Sequence, residues 1–302
     1  MRRLIVWLTA ATLVVVAVWL YRKPVTLAAA TLLGRNAPFC MVLQVLRSPA
    51  NLSFAAQINE RMQRACRVVE TDRAGFELWD TPRGRFWAWR GDAYLPVNLA
   101  EQERKVYGVG EQGVRAGDVV LDCGASVGIF TRAALAAGAQ RVVAIEPAAV
   151  NLECLRRNLR DEIASGRVVL VTKGVWSSEG VLSFVTDLRD PAASGFAPSG
   201  AQGASQVPVT TIDRIVADLG LARVDFIKMD IEGSEREALQ GARETLRRLR
   251  PRLAIASYHR EDDVPVLARL VREIQPAYTP ECGPCSWDEG RLAAKPEILF
   301  FR

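Results

Sequence analysis

The chain has 302 residues, 49% of them hydrophobic and 24% charged. That length and polarity suit a large core and exclude a disordered chain. The net charge of +5 is modest and no basic block is interleaved with aromatics, so no nucleic-acid partner is expected. The arginines of 243–252 read as one solvated helix face.

Residues 4–20 form an apolar run, polar only at Thr9 and Thr12, between Arg2-Arg3 and Tyr21-Arg22-Lys23. As a helix it rises about 1.5 Å per residue, roughly 25 Å in all, enough to span a bilayer. Residues 1–23 are therefore expected to be a membrane anchor, with Trp7, Trp19 and Tyr21 near the interfaces. A cleaved signal peptide is the rival, kept open by Ala28-Ala29-Ala30. Both flanks are basic, so charge does not set the orientation. Residues 25–46 are apolar but broken by Gly34, Arg35, Asn36 and Pro38, which predicts a membrane-surface or capping segment.

Residues 51–69 carry helical spacing through Leu52, Ala55, Ala56, Ile58 and Met62. Residues 76–94 alternate on either side of Thr81-Pro82-Arg83-Gly84, the pattern of a β-hairpin. Phe76, Trp79, Phe86, Trp87, Trp89 and Tyr94 crowd it. Packing on the main domain is the first reading, and an aromatic wall for an acceptor is the second. A helix is predicted over 99–109.

From residue 117 strand and helix alternate, as in a doubly wound, mostly parallel sheet. Strands are predicted at 119–122, 141–145, 168–172, 224–230, 253–258 and 297–301, with an extra strand at 180–186. Helices are predicted at 130–137, 148–159, 212–219, 234–249 and 262–274. Residues 187–206, rich in Ala, Ser, Gly and Pro, read as a surface loop able to cover an acceptor. The division expected is 1–23 anchor, 24–110 extension with the hairpin, and 111–302 catalytic domain.

The stretch VVLDCGASVGIFT at 119–131 is a strand, a glycine turn and a helix start. Its D-x-G-x-x-x-G spacing, with Asp122, Gly124 and Gly128, matches neither the dinucleotide fingerprint nor a P-loop. An acid at the strand end suits a cationic ligand, and S-adenosylmethionine (SAM) fits. A nucleotide site and plain structure stay open on this stretch alone. One strand on, Glu146 is placed to accept the hydroxyls of an adenosine ribose, a trait shared with NAD sites. The backbone of Gly174 and Val175 is placed to frame the adenine. At the next strand ends stand Asp230, Glu232 and His259, where ligands bind in open parallel sheets.

Residues 119–131, VAIEP at 143–147 with Asn151, Leu155 and Asn158, VTTID at 209–213, DFIKMDIEGSE at 225–235 and ALQGA at 238–242 together resemble the FkbM family of SAM-dependent methyltransferases. The resemblance implies a Rossmann-like class I methyltransferase fold, SAM as donor and a hydroxyl acceptor on a glycan, lipid-linked or small natural-product substrate. It covers about half the chain and says nothing of the anchor or hairpin. A SAM-using domain needs the cytosolic cofactor pool, so a cytoplasmic domain on a membrane anchor is expected. The rival readings are an NAD-type oxidoreductase and a non-catalytic SAM-binding module.

An alcohol is a poor nucleophile at neutral pH, so a base or a metal should assist. His259, the one histidine of the chain, is the first candidate for the base. Asp230 and Glu232 are candidates to steer the acceptor, bind the sulfonium end or hold a divalent cation. No N/D-P-P-Y/F run is present, which favours oxygen over nitrogen acceptors. The six cysteines, at 40, 66, 123, 154, 282 and 285, form no disulfide framework and agree with a reducing compartment. Cys282-Gly283-Pro284-Cys285 has the spacing of a redox tetrapeptide but lacks its strand-then-helix setting, so a tight turn is expected.

Overall fold

The computed structural model describes residues 39–198, 200–288 and 293–302. The expected anchor at 1–23 lies outside them. Among the described residues no helix is long and apolar enough to cross a membrane.

Helix α1 (Val42–Ala65) begins earlier than its periodicity predicts and runs through Pro49. A proline lacks the N–H that would reach the carbonyl four residues back. Here the Ser48 hydroxyl donates to the Val45 carbonyl instead, at 2.7 Å. The helix ends at Ala65 because β1 (Arg67–Thr71), with its Val-Val pair, joins the expected hairpin as a third strand. The hairpin is β2 (Phe76–Thr81) and β3 (Gly84–Trp89). Thr81 closes its two-residue loop, its hydroxyl accepting from the Arg83 N–H at 3.1 Å and donating to the Gly84 carbonyl at 2.6 Å.

Helix α2 (Leu95–Arg104) starts four residues before its predicted position. Asp92 accepts the Tyr94 and Leu95 N–H groups at 2.9 and 3.0 Å and so fixes its first turn. Leu95, Leu99 and Ala100 bury against Ile58 and Met62 of α1. Phe76 and Phe86 join that core beside Val127, Ile129 and Cys154, so the hairpin packs inward.

Next come β4 (Val119–Cys123), α3 (Ile129–Ala136), β5 (Arg141–Ile145), α4 (Ala149–Asn158), a short α5 (Arg160–Ala164) and β6 (Val168–Val171). A small sheet follows, built from β7 (Gly174–Val175), β8 (Gly180–Val185), β9 (Gly195–Phe196) and β10 (Ser205–Thr210). The chain returns through α6 (Ile212–Asp218), β11 (Phe226–Met229), α7 (Glu235–Gln240), α8 (Arg243–Arg248), β12 (Arg252–Ala256) and α9 (Asp263–Ile274). It closes with β13 (Pro280–Cys282), β14 (Cys285–Asp288), β15 (Ala293–Pro296) and β16 (Ile298–Phe301).

The large sheet has the order β13-β16-β12-β11-β4-β5-β6. Strands β6 to β12 are parallel, and β16 enters antiparallel to β12. Both faces are covered, as the continuous apolar runs require. Alternation separates the two faces. Leu121, Val143, Ile227 and Leu253 meet α6 to α9 on one side. Val120, Val142, Phe226 and Ala254 meet α3 and α4 on the other.

The helix predicted over 234–249 is two helices. Asp213 accepts the Glu244 and Thr245 N–H groups at 2.9 and 2.7 Å and starts α8 afresh. The break falls at Gly241, where a Cβ would overlap the Trp176 carbonyl oxygen.

Cys123 and Cys154 are fully buried, as small apolar side chains. Cys282-Gly283-Pro284-Cys285 is not the expected tight turn but a bend: the chain runs on from β13 to β14 against the returning segment 293–301, with Gly283 donating to the Ile298 carbonyl at 2.9 Å and the Pro284 carbonyl accepting the Glu297 N–H at 2.7 Å. The expectation of unpaired cysteines is corrected at one place: Cys40 and Cys282 form a disulfide across 242 residues, with Cα atoms 4.8 Å apart. It ties the start of α1 to the end of β13.

Candidate functional site

Strand order reverses at β4. The chain moves outward to β5 and β6, then returns to lay β11 on the other side of β4. In open α/β sheets a crevice forms at such a point, outside the carboxyl ends of the strands. A cavity of about 330 Å³ opens there.

The turn after β4 forms its floor. Gly124 has φ +80°, and a Cβ on it would overlap the Asp230 carbonyl oxygen, so the two strand ends approach as only glycine allows. Gly124 and Ala125 donate their N–H groups to the Ile145 carbonyl at 3.0 and 3.1 Å.

Glu146 follows β5 and lines the cavity. One of its carboxylate oxygens accepts the Ser126 N–H at 2.9 Å. The other accepts the Ala148 N–H at 2.9 Å and the Asn151 amide at 3.3 Å. Burial pushes its pKa up, while these donors work the other way. An aligned carboxylate with lone pairs to spare suits a pair of ribose hydroxyls. Gly174 and Val175 also line the cavity. A side chain at Gly174 would run into the Phe196 ring, which covers that edge.

Asp122 and Gly128, both expected to face a ligand, do not line the cavity. Asp122 is fully buried beneath the turn, where it accepts the Thr131 hydroxyl at 2.6 Å and lies 3.4 Å from the Lys228 ammonium. Lys228, left without a role by the sequence, donates to the Gly124 carbonyl at 2.7 Å. Burial opposes its charge, but Asp122 and Asp230 outweigh that and hold its pKa above the ordinary lysine value. The two therefore brace the turn from below. Gly128, at φ +91°, starts α3 where Leu155 and Leu159 press against it.

Across the cavity stand Asp230 and Glu232. Asp230 accepts the hydroxyls of Tyr107 and of Tyr258, the latter at 3.3 Å. His259 sits behind them rather than on the cavity wall. Its Nε2 is 3.5 Å from Asp230 and 3.5 Å from Glu232, and its Nδ1 is 3.1 Å from Glu235. Burial works against its charge, but the Glu232, Glu235 and Asp230 carboxylates prevail and push its pKa up to about 11. His259, expected as the general base, is thus set back from the space open to an acceptor.

The rest of the wall comes from elements that the motifs did not reveal. Helix α2 contributes Asn98, Glu101 and Gln102. Burial, and next the charge of Asp230, push the Glu101 carboxyl up to about 7. The segment expected as a surface loop contributes Asp190 to Ser194 and is fastened by Asn151, whose amide donates to the Pro191 carbonyl at 3.0 Å. Of the hairpin aromatics only Tyr94 reaches the cavity.

A parallel sheet with a carboxylate after its second strand, a glycine turn after its first and an antiparallel β16 defines a Rossmann-like methyltransferase fold. Residues 122–283 match the methyltransferase FkbM domain, and the chain belongs to that family. Membership implies SAM as methyl donor. The hexuronic acid methyltransferase AglP of Haloferax volcanii is 27% identical over 156 residues, 52% of this chain and 62% of that protein. A methyltransferase FkbM from Methylobacillus flagellatus KT aligns at 22% identity and TM-score 0.48, over 86% of this chain and 62% of that one. SMU.1697c of Streptococcus mutans, solved with SAH, aligns at 13% identity and TM-score 0.37, over 62% of this chain and 89% of that one. The chain thus spans less than two thirds of the length of the first two.

Proposed function

We propose that the protein is an O-methyltransferase that moves the methyl group of SAM to a hydroxyl of a glycan-type acceptor. The observation that carries this reading is the pairing, in one cavity, of the aligned Glu146 carboxylate with an acid-lined wall at Asp230, Glu232 and Glu101. SAM supplies an electrophilic methyl group on a sulfonium. Glu146 and the backbone of Gly124, Gly174 and Val175 are the groups to hold it. Asp230, fixed by Tyr107 and Tyr258, orients the acceptor. Glu101 is the carboxylate we assign to take the hydroxyl proton, because it faces the cavity from α2 and His259 does not. The glycan class is supported by the name of the Haloferax relative, and the oxygen acceptor by Asp230-Ile231-Glu232-Gly233 standing after β11.

Residues 111–302 form the catalytic unit in this reading, with α2 lent by the 24–110 extension. Residues 1–23, with their apolar run and basic flanks, attach the protein to a membrane. Fractionation of cells expressing the full chain tests that attachment, and release into the soluble fraction at high salt would refute it.

The function is tested by incubating the protein and labelled SAM with glycans and lipid-linked glycans from a membrane extract. The expected product gains one methyl ether, located by mass spectrometry. Binding of NAD in place of SAM would return the oxidoreductase reading. SAM binding without transfer to any acceptor in the extract would favour the non-catalytic module.

A further inference from the structure

The cluster behind the acceptor wall holds more negative charge than its surroundings balance. Asp230, Glu232 and Glu235 all lie within 3.5 Å of one imidazole. Lys228, held by the carbonyls of the turn and by Asp122, offsets part of that charge through Asp230. Even a protonated His259 leaves this group two charges negative, and crowded carboxylates at that spacing repel one another strongly.

The geometry adds an independent sign. The His259 side chain is 9% exposed, yet neither ring nitrogen makes a well-formed hydrogen bond. Its Nε2 points between Asp230 and Glu232, equally far from both. One ligand atom from each of the three residues lies within 4.8 Å of the others. Glu235, 1% exposed, stands beside the other nitrogen. A carboxylate in that position is the usual partner that orients a metal-binding imidazole. Glu232 is held toward the cluster by a left-handed backbone, φ 54°, and Asp230 by two tyrosine hydroxyls.

We propose that Asp230, Glu232 and His259 bind one divalent cation, His259 through Nε2 with release of its proton to solvent and Nδ1 keeping its hydrogen toward Glu235. Two carboxylates and one imidazole are a hard donor set that suits Mg²⁺ or Mn²⁺ better than a thiophilic ion. Two of the ligands line the cavity and the third lies behind it, so the cation faces the space given to the acceptor. A hydroxyl entering there is polarised by the cation, one of the recognised uses of a metal in catalysis. The site rests on the methyltransferase reading only for this last role; its charge and geometry stand without it.

The test is titration of EDTA-stripped full-length protein with Mn²⁺ in the presence of SAH, read as loss of the free-ion electron paramagnetic resonance signal. One Mn²⁺ per chain is expected. Asp230→Asn and Glu232→Gln should weaken it at least tenfold, and Glu235→Gln by ~10- to 100-fold, the effect typical of removing an orienting partner. Glu232 is partly exposed, so its variant should fold even where the others do not, and melting curves check this. SAH binding is measured in the same samples. Mn²⁺ bound at one per chain while SAH is not would strike the methyltransferase reading and leave the metal site standing. No stoichiometric Mn²⁺ in the wild type, or equal binding in folded Glu232→Gln, overturns the site.

Discussion

Replacing Glu146 by Gln separates a ligand-holding carboxylate from a structural one. The two oxygens of Glu146 accept three protein donors, from Ser126, Ala148 and Asn151. A glutamine of the same length keeps one acceptor and turns an NH₂ group toward the other set. For the free protein two effects oppose each other. A buried carboxylate, whose pKa burial pushes up, is replaced by a neutral amide. A donor then faces a donor, which costs ~1–3 kcal/mol. These nearly cancel, and the melting temperature without ligand should move little. Binding has no such compensation. One ribose hydroxyl loses its acceptor and the other loses a charged one, about 2–4 kcal/mol together, or roughly 30- to 900-fold in Kd. Calorimetric titration with SAH measures this, and a thermal melt with and without SAH supplies the control. A Kd within threefold of wild type in a folded variant would refute the assignment. So would a variant that fails to fold, because Glu146 would then be a structural residue first.

Glu101→Gln should lower kcat by ~100-fold or more, the scale of a lost general base, with SAH affinity unchanged; an unaltered kcat removes Glu101 from the chemistry. Gly124→Ala forces a side chain onto a left-handed backbone and into the Asp230 carbonyl, and should cost ~2–5 kcal/mol in urea unfolding. Asp92 is 4% exposed and burial pushes its pKa up to about 6. The folded state therefore binds its proton more tightly than the unfolded chain does, and stability falls as pH rises from about 4 through 6. Asp92→Asn keeps the acceptor for Tyr94 and Leu95 and should add ~1–3 kcal/mol at pH 7.5, a gain that shrinks below about pH 5; denaturant melts across that range decide. Cys40→Ser should cost ~2–5 kcal/mol without reductant, as expected for opening a long loop, and nothing further once dithiothreitol is added to both proteins.

The sheet was legible because its chemistry is local. Runs such as 119–121 and 142–145 are apolar and end in polar residues, which is what a strand buried on both faces must do. Glu146, Asp230 and Glu232 could be placed for the same reason: a strand end at a topological switch is a position readable from order alone. What stayed hidden depends on contacts far apart in the chain. The continuation of α1 through Pro49 needs the Ser48 hydroxyl. The break at Gly241 needs the Trp176 carbonyl. Asp122 looked like a ligand group because an acid ends its strand, and only its partners Lys228 and Thr131 show it facing down. Tyr107 and Tyr258 lie 123 and 28 residues from the Asp230 they hold, with no spacing to announce them. Cys40 and Cys282 are paired across nearly the whole chain.

These placements also divide the cavity by origin. The groups suited to SAM, at Gly124, Glu146, Gly174 and Val175, all fall inside residues 122–283, the part that matches the family. The wall opposite is shared: Asp230 and Glu232 come from the matched part, while Tyr94, Asn98, Glu101 and Gln102 come from residues outside it. Helix α2 rests on α1 and the hairpin through Leu95, Leu99 and Ala100, and the same core takes in Val127 and Ile129 of the glycine turn. In the proposed reading, donor contacts come from the matched part alone and acceptor contacts from both parts. The glycine turn, the most legible stretch of the sequence, thus says the least about which molecule receives the methyl group.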